Sequence, residues 1–284
     1  MKRTILSILF LFVTYVFTSA QQWVQIRQTD NEYDYIRVDV VPQSPQNLVQ
    51  FWTGYSLSYG KSLRKQYSYS EIPKYDETTY AFNDSFDHYA SRLYEVFDEK
   101  DKSLYKAFHG FLTYDTINGQ TVLSTYANWA ALLKYHGASA CVYASNARFQ
   151  KQQKPEWIKI DEDESATYFI RVDLTNEDSL AMFGLVFKSK TSKDWQKYYS
   201  FKEAPQSRIL VYKIHDQGSK YSWLAESWFG KKDAITGVWL YPKTQPRELT
   251  EFSKKLVEWG LLLLEQGKDA VVEKSNTKFG KIVK

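Results

Sequence analysis

Apolar residues along this chain recur in two rhythms, and each rhythm occurs twice. The first is alternation. In Tyr35–Val41, Ile36, Val38 and Val40 fall on one side and Arg37 and Asp39 on the other, the pattern of a strand with one buried face. Trp23–Ile26 reads the same way. Phe51–Tyr59 alternates more sharply. Phe51, Tyr55, Leu57 and Tyr59 share one side, and Gly54, Ser56, Ser58 and Gly60 share the other, which predicts a strand with a bulky face and a small-residue face. Thr79–Phe82 and Arg208–Ile214 predict a further pair of strands, as do Gly110–Tyr114 and Gly237–Tyr241. The second rhythm is helical. Val122, Tyr126, Trp129 and Leu133 are spaced four, three and four, a single helix face. Phe252, Leu256, Trp259 and Leu263 repeat that face 130 residues later.

The recurrence is a duplication. Phe51–Asp101 aligns without a gap on Phe183–Asp233 at an offset of 132, with 13 of 51 pairs identical. The flanks agree at an offset of 134: Trp23 and Ile26 match Trp157 and Ile160, and Ile36–Asp39 matches Ile170–Asp173. Gly110 pairs with Gly237, Trp129 with Trp259 and Gly137 with Gly267. A repeat of this length is a domain rather than a solenoid unit, and each copy is long enough to bury its own core.

Within a copy, strands come first and a long amphipathic helix comes last. Gly137 and Gly267 are placed as C-terminal caps of the two helices, and Thr244 as an N-cap with Pro246 in the first turn. The expected fold class is α+β, a tandem duplication of a mainly antiparallel domain closed by its C-terminal helix. The expected division is a leader over 1–20, a first repeat over 21–137, a linker over 138–156, and a second repeat with a basic tail over 157–284. Gly237–Pro242 followed by a helix over 248–266 resembles the last strand and capping helix of pleckstrin-homology and EVH1-like barrels. That resemblance implies a barrel; lipocalin-like barrels and profilin-like sheets end in a helix as well.

Composition narrows the setting. Lys2 and Arg3, the apolar run Ile5–Phe17 and the small residues Thr18-Ser19-Ala20 form a secretory leader, with cleavage expected before Gln21. Losing Lys2 and Arg3 reduces the formal charge from +4 to +2, too balanced to point to nucleic acid. No later run is long and apolar enough to span a membrane. Cys141 is the single cysteine, so no disulfide forms within the chain, which fits a Gram-negative periplasm or cell exterior better than a eukaryotic secretory route.

Candidate chemistry is sparse. Gly54–Gly60 lacks the Gly-x-Ser-x-Gly spacing of a nucleophile elbow. His88, His109, His136 and His215 have no zinc-binding spacing, and no cofactor is expected. The acids common to both copies, Asp39/Asp173, Glu71/Glu203, Asp84/Asp216 and Asp101/Asp233, read as turns, caps and ion pairs of the shared framework. Aromatics are the stronger clue, with 22 Tyr and 9 Trp. Trp52, Tyr55 and Tyr59 in the first copy, and Trp195, Trp223 and Trp228 in the second, are the candidate binding residues. Tyr and Trp pair an apolar face with a polar handle, which suits a glycan or a protein partner. The expectation is a non-catalytic binding protein; the alternatives are a carboxylate-based hydrolase of glycosidase type and a lipid-carrying barrel.

Overall fold

The structure, a computed structural model, describes residues 21–109, 114–119, 121–149, 155–174 and 178–280. The leader, Gly110, Lys281 and Lys284 lie outside the described residues. The first copy runs β1 (Trp23–Gln28), β2 (Glu32–Arg37), β3 (Leu48–Tyr55), α1 (Leu57–Tyr67), β4 (Tyr75–Phe82), β5 (His88–Phe97), β6 (Ser103–Phe108), β7 (Asp115–Thr116) and α2 (Val122–Arg148). The second runs β8 (Trp157–Glu162), β9 (Ala166–Arg171), β10 (Leu180–Phe187), α3 (Ser189–Tyr199), β11 (Ser207–His215), β12 (Lys220–Phe229), β13 (Ile235–Leu240), β14 (Arg247–Glu248) and α4 (Glu251–Phe279).

Each copy forms one antiparallel sheet in which neighbours in sequence are neighbours in space, β1 to β6 and β8 to β13. The short strands β7 and β14 pair with β5 and β12. The first and last strands of each row do not pair, so the sheets stay open and the barrel implied by the pleckstrin-homology resemblance is not formed. The chain divides into two compact units between Lys134 and Tyr135.

Local chemistry explains where the expected boundaries moved. The alternation of Phe51–Tyr59 stops being a strand at Tyr55, because Ser56 takes an extended conformation and its hydroxyl accepts from Tyr59 N at 3.3 Å, starting α1. Leu57 and Tyr59 are therefore helical. The counterpart of β13 is β6, at the offset of 132 shared by β3 to β5, rather than Gly110–Tyr114. The two copies change length in two places, between β2 and β3 and again between the short strand and the long helix. Thr250, not Thr244, caps α4: its Oγ1 accepts from Ser253 N at 3.1 Å, while Ser253 Oγ accepts from Thr250 N at 2.8 Å.

Gly137 and Gly267 do not end their helices. Each breaks the helix with nearly the same backbone angles, φ 82° and ψ 179° at Gly137, φ 79° and ψ −176° at Gly267, and the helix then resumes. The segment expected as a linker is thus helical to Arg148, and the tail is helical to Phe279. Beyond its break, α4 returns to its own sheet, where Ser275 Oγ donates to Lys159 O at 2.6 Å and Lys278 pairs with Asp161 at 2.7 Å.

Both long helices bury the predicted tryptophan against one face of the sheet, here termed the inner face. In the first unit Tyr126 stacks on Phe51, centroids 4.2 Å apart, with Trp129, Leu132 and Leu133 buried. In the second, Leu256, Val257 and Trp259 close a core of Ile170, Phe183, Leu210 and Tyr212. Val122 and Phe252, the first members of the two helix faces, lie at solvent edges. Of the shared acids, Asp39 and Asp173 pair with Arg37 and Arg171 of the framework, each at 2.8 Å.

Candidate functional site

The outer face of the first sheet carries rings and charges in a regular array. The strand register sets Tyr35 opposite Trp52, Trp52 opposite Glu77, Glu77 opposite Glu95 and Glu95 opposite Lys106, one row across β2 to β6. The adjacent row holds Tyr33, Gly54, Tyr75 and Phe97. The Trp52 ring leans over Gly54: a Cβ at Gly54 would come within 2.6 Å of it, so glycine is what lets the indole lie along the sheet. Lying there, Trp52 links its neighbours into a ladder. Centroid distances are 5.2 Å from Tyr35 to Trp52, 5.4 Å from Trp52 to Tyr75 and 4.8 Å from Tyr75 to Phe97. All four rings are half-buried, whereas Tyr33 is exposed at the rim.

Polar groups edge the ladder. Arg37 Nη1 donates to Gln50 Oε1 at 2.7 Å, and Lys106 pairs with Glu95 at 2.7 Å. Glu77 and Glu95, directly opposite, have Cβ atoms about 5 Å apart by antiparallel geometry. Their environments pull them apart: partial burial and the charge of Glu95 raise Glu77, while the Lys106 hydrogen bond lowers Glu95. Half-buried rings beside carboxylates and an amide can pack on an apolar face and bond its hydroxyl rim.

The inner face holds a different, enclosed arrangement. Asp34, Thr53 and Asp76 sit side by side on β2, β3 and β4. Tyr55 donates its hydroxyl hydrogen to Asp76, Thr78 donates to Asp76 at 3.1 Å, and Arg27 binds both Asp34 and Glu32. At the equivalent positions of the second unit, Asp76, Tyr94 and Tyr55 become Arg208, Glu226 and Phe187. Arg208 and Glu226 form a buried ion pair. Trp223 and Trp228 lie 4.6 and 4.5 Å from the guanidinium carbon, and Tyr241 donates to Glu226 at 2.7 Å. Cation–π contacts and full hydrogen bonding are what allow such a pair to be buried.

The six candidate binding residues thus fall in three places. Trp52 stands at the centre of the outer ladder. Tyr55 points to the opposite face with Tyr59 from α1, ring centroids 5.6 Å apart. Trp223 and Trp228 flank Arg208, and Trp228 is fully buried, which removes it from any exposed patch. Trp195 on α3 packs on Trp228 at 5.5 Å and bears Tyr198, which is exposed, beside it. Tyr35, Tyr75, Phe97, Glu77 and Glu95 were missed from sequence. The alternation of Tyr75, Glu77 and Thr79 was a usable signal, but their gathering around Trp52 depends on register.

The second unit's outer face differs. Its Met182, Ile209 and Val211 are buried, where the first has Gln50, Glu77 and Thr79. The sequence matches no protein-family model, and no curated protein aligns with it significantly.

Proposed function

We propose that this is an exported, non-catalytic binding protein of the periplasm or cell surface whose ligand is a glycan, bound on the outer face of the first sheet. The observation that carries the reading is the half-buried ladder Tyr35–Trp52–Tyr75–Phe97 with Glu77, Glu95 and the Arg37–Gln50 pair along it. Pyranose rings present apolar C–H faces to aromatics and hydroxyls to carboxylates and amides, and an open strip of rings suits a chain rather than a single sugar. Export is supported by the leader pattern of residues 1–20. The test is calorimetric titration of the mature protein with soluble envelope polysaccharides and with neutral and acidic oligosaccharides. Trp52→Ala and Tyr75→Ala should each weaken binding about tenfold, equivalent to about 1.4 kcal/mol, and Trp195→Ala should leave it unchanged. Equal affinity in all variants, or capture of proteins with no saccharide binding, would defeat the glycan reading.

One observation favours a second reading, a carboxylate-based hydrolase. Glu77 and Glu95 lie directly opposite each other on β4 and β5 and are shifted in opposite directions, the arrangement of an acid–base pair. Release of reducing ends by the wild type, abolished in Glu77→Gln and Glu95→Gln, would establish it in place of simple binding.

A further inference from the structure

The N-terminus of α3 is built differently from that of α1. At the copy offset of 132, Ser56, which caps α1, becomes Lys188, whose side chain makes no capping bond. The first helical bond of α3 runs from Ser192 N to Lys188 O. The N–H groups of Ser189, Lys190 and Thr191 have no acceptor among the described residues. No acid stands in the first turn, whereas Lys190 and Lys193 add positive charge where the helix dipole already disfavours it.

This end of α3 opens into a cavity of about 750 Å³. Two exchanges make the room. In the first copy a Cβ at Gly60 would run into the Pro73 carbonyl and meet Ile72 at 3.0 Å, so α1 lies directly on the segment that follows it. In the second copy Gly60 becomes Ser192 and Ile72 becomes Ala204, and both line the cavity. Ser192 is 8% exposed, and its hydroxyl makes no hydrogen bond with the described residues. A helical side chain leans toward the N-terminus of its helix, which carries this hydroxyl toward the three open N–H groups. Burying a hydroxyl without a partner costs free energy, so the site lacks an acceptor. Lys193, Lys202 and Lys231 also line the cavity, and none is paired with an acid among the described residues. Lys202 and Lys231 stand where the first copy has Ser70 and Glu99. Glu203, resting against Gly230, is the one carboxylate on these walls.

We propose that this cavity binds a phosphate monoester of a sugar or polyol, with its phosphoryl group at the N-terminus of α3. The donors decide for phosphate. Three N–H groups, the Ser189 and Ser192 hydroxyls and the Lys193 ammonium exceed the roughly four acceptor positions of a carboxylate, whereas the three terminal oxygens of a phosphoryl group can take them all. The room decides for an ester, since the volume is that of a small-molecule site and far exceeds a bare ion. Beyond the helix end, Phe187 and Ala204 offer an apolar wall to carbon, and Gln206 and Glu203 offer polar groups to hydroxyls. This site is independent of the glycan reading, which concerns the other unit.

The test titrates glucose 6-phosphate, inorganic phosphate and acetate into the full mature protein. Saturable one-site binding of glucose 6-phosphate is expected by calorimetry, with the amide resonances of Ser189, Lys190 and Thr191 shifting. Inorganic phosphate should bind at least about threefold more weakly, and acetate at least about tenfold more weakly. Ser192→Ala should weaken binding about tenfold, as expected for one hydrogen bond to a charged group. Lys188→Ser restores the first copy's cap, whose hydroxyl competes for the Thr191 N–H, and should weaken binding about threefold. Lys188→Gln removes the same charge without supplying a cap and should weaken it less. No saturation below about 10 mM, or shifts that spare the first turn of α3, would overturn the site. So would undiminished affinity in Ser192→Ala protein that keeps the wild-type circular dichroism, or equal losses in the two Lys188 variants. Equal affinity for acetate would overturn the assignment to phosphate, and equal affinity for inorganic phosphate the assignment to an ester.

Discussion

Asp76 shows how much one position can do in this fold. Burial raises its carboxyl to about 7, and the charges of Asp34 and Glu32 add to the shift, against the Tyr55 and Thr78 hydrogen bonds that lower it. In the unfolded chain the same group titrates near its ordinary value of about 3.9. Between those values the folded protein holds a proton that the unfolded chain has lost, so this group's contribution to stability falls as pH rises from about 4 to about 7. The loss is on the order of 4 kcal/mol. Asp76→Asn cannot titrate. Stability measured by urea melts from pH 4 to pH 8 should fall in the wild type relative to the variant by that order, and parallel profiles would contradict it. Trp129 and Trp259 belong to the same scale. Each is almost completely buried, and Trp→Ala at either should cost about 3–5 kcal/mol in denaturant melts.

At the scale of elements, the long helices carry the least expected feature. Gly137 and Gly267 adopt positive φ with extended ψ, a region reached essentially by glycine alone. A Cβ at either would meet nothing within 4 Å, so the requirement comes from the backbone and not from crowding. Gly137→Ala and Gly267→Ala should each cost about 1–3 kcal/mol, and stability equal to wild type would show that the break relaxes into continuous helix. The break lets α4 change direction and place Ser275 and Lys278 on β8. Both glycines were visible as paired and as helix-related. That the helix resumes after them was not legible, because a glycine read as a cap and a glycine read as a kink give the same local signal. The short helices were hidden for a related reason. Ser56 and Ser58 fit the polar side of a strand as well as the start of a helix, and only the Ser56 cap decides between them.

At the scale of the whole molecule, the two duplicated sheets share a topology and differ on their outer faces. In one copy the outer face carries half-buried rings and carboxylates; in the other Met182, Ile209 and Val211 are buried at the equivalents of Gln50, Glu77 and Thr79, while Val186 is exposed. No helix among the described residues is long and apolar enough to cross a membrane. The leader pattern predicts that protein isolated from its native host starts at Gln21, and intact-mass analysis checks it; retention of Met1–Ala20 would contradict export by cleavage and weaken the envelope setting of the glycan reading.

The sequence alone determined the duplication, the α+β class and the two buried tryptophans, because each rests on short-range periodicity that repeats at a constant offset. It also singled out Trp52. Tertiary structure decided the rest. Whether the sheets close depends on pairing between strands far apart in the chain, which no local pattern records. Which ring meets which depends on register, and a one-residue shift would send Trp52 to the other face. The pocket beside Gly184 could not be read from sequence at all, since a pocket exists only once its walls are in place.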